Sequence, residues 1–227
     1  MTEQPISFKN RYRIGSHNWL VHRIHDRALQ VALQQYATGL LLDVGCGEKP
    51  YQEMTAKFVT KHLGIDHPGS YHGRAQVDIL ATAYHTGLAQ DSIDTLLCTF
   101  VLEHLEYPQK AIHEMYRILK PNGHLLLSAP LFWHLHEEPR DFYRYTTYGL
   151  THQFHSAGFD VIEIKPLSGF VVTFSQELVY FLQRWKQGIV QFPIASLQWM
   201  IQTFAYAFNK WDRSVGFTWA YLIVARK

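Results

Sequence analysis

Cysteine is nearly absent from this chain of 227 residues: only Cys46 and Cys98 occur, and both read as small buried thiols in a reducing setting. Their spacing fits neither a zinc site nor a disulfide framework. Charge of one sign is lacking too. With a net charge of +2 and lysine and arginine scattered rather than interleaved with aromatics, no nucleic acid is expected as a partner. Fourteen histidines raise that charge below about pH 6.5. Long apolar runs are missing as well. Residues 1–13 are polar and lack the apolar core of a signal peptide, and Ser175, Gln176, Glu177, Gln198 and Gln202 interrupt the most apolar helical candidates. A cytoplasmic chain is expected. At 47% hydrophobic, it can bury a core as one α/β domain over 1–227 with an elaboration.

What is present is organised around residues 40–50, LLLDVGCGEKP. The apolar run closed by glycines suits a buried parallel strand, with Asp43 at the carboxyl end, where open α/β sheets bind ligands. Gly45 and Gly47 remove side chains where the backbone bends and a ligand approaches. Two phosphate-binding patterns fail here: there is no GxxxxGK[ST], and Pro50 stands where GxGxxG needs its third glycine. A strand-Asp-x-Gly-x-Gly turn remains. It resembles motif I of the class I S-adenosylmethionine-dependent methyltransferases, whose glycines pass under the amino-acid end of the cofactor; Asp43, Gly45, Cys46 and Gly47 take that place.

Spacing carries the reading onward. Residues 62–66 read as a second strand ending in Asp66, about 20 residues past the glycine turn, where this architecture sets a carboxylate on ribose hydroxyls. Residues 75–80 read as a third strand with Asp78 near its end, and the resemblance implies that this acid bonds the adenine amino group. A central strand over 93–102 leads into Glu103 and His104; a helix over 107–120 and a fifth strand over 123–130 follow. The ordered series DSIDT, VLEHL and RILKPNGHLLLSAP resembles the type 11 branch of these methyltransferases, with the resemblance covering roughly residues 38–166. It implies a seven-stranded, mostly parallel Rossmann-like sheet with an antiparallel last strand, S-adenosylmethionine as cofactor, and a cofactor cleft lined by Val101, Leu102 and Glu103.

The loop over 131–148 concentrates His, carboxylate, Arg and aromatic residues at the cofactor's edge of the sheet, making it the substrate-loop candidate. His136 or His134 could take a proton from an acceptor, with Asp141 beside them, while His104, Trp133, Arg140, Tyr143 and Arg144 could hold the acceptor. The bland alternative is that Asp141 and Arg144 pair to pin the loop and Thr146 caps the next helix. A metal on His134, His136 and Glu137 is set aside, because alternating loop residues supply few fixed ligands.

At the ends, residues 16–37 read as an amphipathic helix capped by Ser16, with His17, His22, His25 and Arg27 on its polar face; with the residues before it, it forms a helical cover over 1–38. A helix over 146–158 and strands over 159–165 and 219–227 complete the sheet, and an aromatic insertion over 169–216 holds two helices, 171–187 and 194–210. The insertion reads as a helical layer or homodimer surface, or as an apolar face in peripheral membrane contact. Methyl transfer to oxygen or nitrogen of a small molecule or glycan is the expected function, against a non-catalytic cofactor-binding or protein-interaction module with the same fold.

Overall fold

Side chains alternating along the central strands divide the apolar residues between the two faces of one sheet. The structure is a computed structural model and describes residues 16–70, 73 and 75–227. Segment 1–13, with the signal-peptide reading and the start of the helical cover, lies outside the described residues.

The strands are β1 (Leu40–Val44), β2 (Lys61–Asp66), β3 (Ile79–Leu80), β4 (Ile93–Thr99), β5 (Leu119–Pro130), β6 (Asp160–Pro166) and β7 (Ala220–Arg226), in the order β3-β2-β1-β4-β5-β7-β6. β7 runs antiparallel to both neighbours and the remaining pairs are parallel. Leu42, Leu96, Leu125 and Leu127 face one side, where α3 (Pro108–Ile118) and α4 (Thr147–Ala157) contribute Ile112, Met115 and Phe154. Leu41, Leu97, Leu126 and Val224 face the other, under α1 (Trp19–Tyr36). The short α2 (Gln52–Thr55) follows the glycine turn, and α5 (Phe170–Gln183) and α6 (Gln191–Phe208) lie between β6 and β7.

Three local expectations are corrected. The third strand is only two residues long and begins after Asp78, because this edge strand pairs with β2 only at Ile65–Ile79 and Asp66–Leu80 while the Asp78 side chain turns back toward Gly64. Ser16 does not cap α1 with its side chain; the Leu20 amide donates instead to Gln202 Oε1 of α6 at 3.0 Å, and Gln176 of α5 donates to the His17 carbonyl at 2.8 Å. Gln202, which keeps α6 from reading as a membrane span, thus satisfies an orphan amide at a helix start. His25 is buried, not on a polar face: its Nε2 meets Ser128 Oγ at 2.8 Å and its Nδ1 meets Asp26 Oδ1 at 3.1 Å. No helix among the described residues is long and apolar enough to cross a membrane.

Candidate functional site

Two clusters occupy the carboxyl edge of the sheet. The first is built on β1 and β2. Gly45 holds φ +72°, and a Cβ there would collide with Val101 Cγ2, so the turn and the β4 exit close on each other only around a glycine. The Gly45 and Cys46 amides donate to the Ile65 carbonyl at 2.9 and 3.1 Å, and the Gly47 amide donates to Asp66 Oδ2 at 2.8 Å. The β2-end acid is therefore tied directly to the turn. Asp66 Oδ1 accepts from the His67 amide at 2.7 Å.

Asp43 is buried beside His62, whose Nε2 stands 3.3 Å from its Oδ2; burial outweighs that neighbour and raises the carboxyl's pKa. Burial pushes the Cys46 thiol up to about 12, leaving it protonated and unreactive. Asp78 Oδ2 accepts from the Gly64 amide at 2.7 Å and from the Lys49 ammonium. Desolvation opposes ionisation of Asp78, but these donors hold its pKa below the ordinary value. Lys49 is a feature the sequence reading passed over. The pattern Gly-Glu-Lys-Pro puts it at the end of the turn with φ +50°, and its buried side chain reaches Asp78 across Gly64.

The second cluster joins the β4 exit to the loop after β5. Leu102, Glu103 and His104 form a 3-10 turn. The Tyr145 hydroxyl donates to the Leu102 carbonyl at 2.9 Å, and the Phe142 amide donates to the Glu103 carbonyl at 2.9 Å, which fastens the loop to that turn. Arg144 donates to Asp141 through Nη1 at 2.6 Å and Nη2 at 2.8 Å, and also to the Trp133, His134 and Tyr143 carbonyls. Asp141 Oδ2 accepts from the His136 amide at 3.0 Å as well. Burial raises the Asp141 carboxyl, but the Arg144 and His136 donors overcome it and hold it at about 2. The geometry of this pair is that of a loop pin.

His136 and His134 separate. His136 lies among Asp141, Glu103 and His104, packing edge-on against His104 with ring centroids 4.8 Å apart. Burial, then the neighbouring His104, lowers its pKa, so the imidazole is neutral at pH 7. His134 turns to α5, with Nδ1 3.2 Å from Glu177 Oε2 and its ring against Tyr180. Trp133 packs against Trp219 and Tyr180, Tyr143 donates to the Glu106 carbonyl at 3.1 Å, and Arg140 Nη2 stands 3.8 Å from Glu106 on the exposed rim. The buried Glu103 carboxyl is pushed up to about 8 by desolvation.

Residues 42–127 match the family model described as a methyltransferase domain. An uncharacterized protein of Methanocaldococcus jannaschii is 35% identical over 89 residues, 39% of each chain. A ubiquinone biosynthesis O-methyltransferase of Photorhabdus laumondii is 28% identical over 124 residues, 48% of this chain and 51% of its own. The chain spans about half or less of the length of these curated relatives. A putative methyltransferase of Haloferax volcanii, solved with the Trm112 methyltransferase activator, superposes with a TM-score of 0.60 at 17% identity, covering 99% of both chains. Sheet order and the turn tied to the β2-end acid agree with that match: residues 42–127 are similar to a methyltransferase domain, and the fold is the one that the Haloferax volcanii putative methyltransferase shares.

Proposed function

We propose that the protein transfers a methyl group from S-adenosylmethionine to an oxygen or nitrogen of a small-molecule or glycan acceptor. The observation that carries this is the Gly47–Asp66 bond: a side-chain-free turn and a strand-end carboxylate are fixed against one another at the edge where such sheets bind nucleotides. The bound cofactor supplies an electrophilic methyl on a sulfonium. Asp43, Gly45, Cys46 and Gly47 would lie under its amino-acid end, Asp66 would take the ribose hydroxyls and Asp78 the adenine amino group, with Val101, Leu102 and Glu103 along the cleft. Bond-making at the acceptor and bond-breaking at sulfur are in line, so positioning does most of the work. The acceptor loses one proton, for which neutral His136 is placed beside the β4 exit. The likeness to an enzyme named for O-methylation in ubiquinone biosynthesis supports oxygen as the acceptor atom.

Calorimetric titration tests the reading. Saturable binding of S-adenosylmethionine and S-adenosylhomocysteine but not NAD is expected, with loss in Asp66→Ala and Asp78→Ala. Unchanged affinity in both variants would overturn the assignments.

A second reading concerns where the acceptor is met. Phe181, Trp185, Phe192, Trp199, Phe204 and Trp211 are exposed on and beside α5 and α6, with Arg184 over Phe181 and Trp185 and Lys210 over Trp211. Aromatic residues flanked by cations suit the headgroup level of an anionic bilayer. Co-sedimentation with anionic vesicles is expected. A concentration-dependent dimer without lipid binding would assign the face to a second copy instead.

A further inference from the structure

The loop's hydrogen bonds leave one carboxylate over. Glu103 is 0% exposed, and neither side-chain oxygen has a hydrogen-bond partner among the described residues. An unpaired buried carboxylate is costly, so such a group holds either a proton or a cation. Its surroundings offer ligands for a cation. Nδ1 of His104 meets the Arg140 carbonyl at 2.6 Å, and because a carbonyl only accepts, that nitrogen carries the proton and Nε2 carries the lone pair. Nε2 lies 4.0 Å from Glu103 Oε1. His136 stands alongside with Asp141 Oδ2 3.3 Å from its Nδ1, a carboxylate placed to orient the ring.

We propose that Glu103, His104 and His136 bind one divalent transition-metal ion, the first two from the β4 exit and the third from the loop after β5. One ligand atom from each lies within 4.8 Å of the other two. Bonds of about 2.1 Å around a tetrahedral ion set ligand atoms about 3.4 Å apart, so the three close by about an ångström through side-chain rotation alone. Glu137 Oε2, 3.8 Å from His104 Nε2, stands at the solvent side as a further ligand. Two imidazoles with carboxylate oxygen suit zinc, cobalt or manganese better than magnesium or calcium. The ion would neutralise Glu103 and, with Glu137 off the metal, would keep a fourth position for a hydroxyl that it acidifies; with the His136 lone pair then on the metal, that acidity would replace His136 as the means of releasing the acceptor's proton. That last role rests on the methyl-transfer reading; the binding itself does not.

The set weighed from the loop alone, His134, His136 and Glu137, is not the one assembled here, because His134 is drawn to Glu177. Cobalt(II) is the probe, added to metal-free full-length protein without cofactor. One equivalent is expected to bind, with visible absorption bands that zinc abolishes. Glu103→Gln and His136→Gln should each weaken binding at least tenfold, whereas His155→Gln on exposed α4 should not. In chelator, Glu103→Gln should melt no lower than wild type, since it replaces an unpartnered carboxylate, so lost binding would not reflect unfolding. No stoichiometric binding, or binding that survives both ligand variants, would overturn the site. Cofactor binding without cobalt binding sinks only the metal, and cobalt binding without cofactor binding sinks only the methyl-transfer reading.

Discussion

The two halves of the sheet's carboxyl edge are built differently. On the β1–β2 side, two acids are satisfied close by, Asp66 by the Gly47 and His67 amides and Asp78 by the Gly64 amide and Lys49, while buried Asp43 keeps only His62 at 3.3 Å beside its Oδ2. On the β4–β5 side, Asp141 consumes the guanidinium of Arg144 while neither oxygen of the equally buried Glu103 carboxylate accepts a hydrogen bond among the described residues. The first half is a cradle in which backbone amides already orient Asp66 and Asp78. The second keeps a reserve of unsatisfied polarity, which natural cores tolerate where a ligand completes the set.

The comparison breaks most sharply at Gly45. Gly45→Ala forces a Cβ into Val101 and a side chain into positive φ, so a stability loss on the order of 1–3 kcal/mol is expected in urea unfolding, with cofactor affinity abolished in calorimetry. Next comes the pin. Asp141→Ala leaves Arg144 without its bidentate partner and should cost about 2 kcal/mol, together with increased proteolysis within residues 131–146.

Two glutamates should respond to pH in opposite senses. In chelated protein, the raised pKa of Glu103, about 8, means the folded state binds the proton more tightly than the unfolded chain. Stability should fall as pH rises from 4.5 through 8, and Glu103→Gln should flatten that slope in urea titrations. Glu114 is opposed by desolvation but held at about 2 by the Arg117 and Thr86 donors, so its contribution is full above pH 4.5 and lost as pH falls toward 2. Glu114→Gln should remove only the acid-side loss. The smallest stability effect is expected on the outer helical face: Trp199→Glu should change unfolding free energy by less than about 0.5 kcal/mol yet abolish vesicle co-sedimentation.

The cradle was legible because its chemistry is local. Asp43, Gly45 and Gly47 fall within five residues, Asp66 follows at the spacing of one strand-helix-strand unit, and a buried parallel sheet writes itself as runs such as LLLDV. Lys49 went unread because a lysine after a turn ordinarily points to water; only the bare Cα of Gly64 lets it cross to Asp78. The N-terminal helix misled for a related reason. His25 read as part of a polar face, but its partners Ser128 and Tyr51 lie 103 and 26 residues away along the chain.

By itself the sequence determined the strand pattern, the glycine turn and the acids at its spacing, since each follows from periodicity or from short-range backbone sterics. Tertiary structure alone decided which histidine meets Glu103, which glutamine caps α1 and which aromatics stay exposed. Those outcomes depend on contacts between residues far apart in the chain, and on burial, which raises the Glu103 carboxyl to about 8 while the donors around Glu114 overcome it.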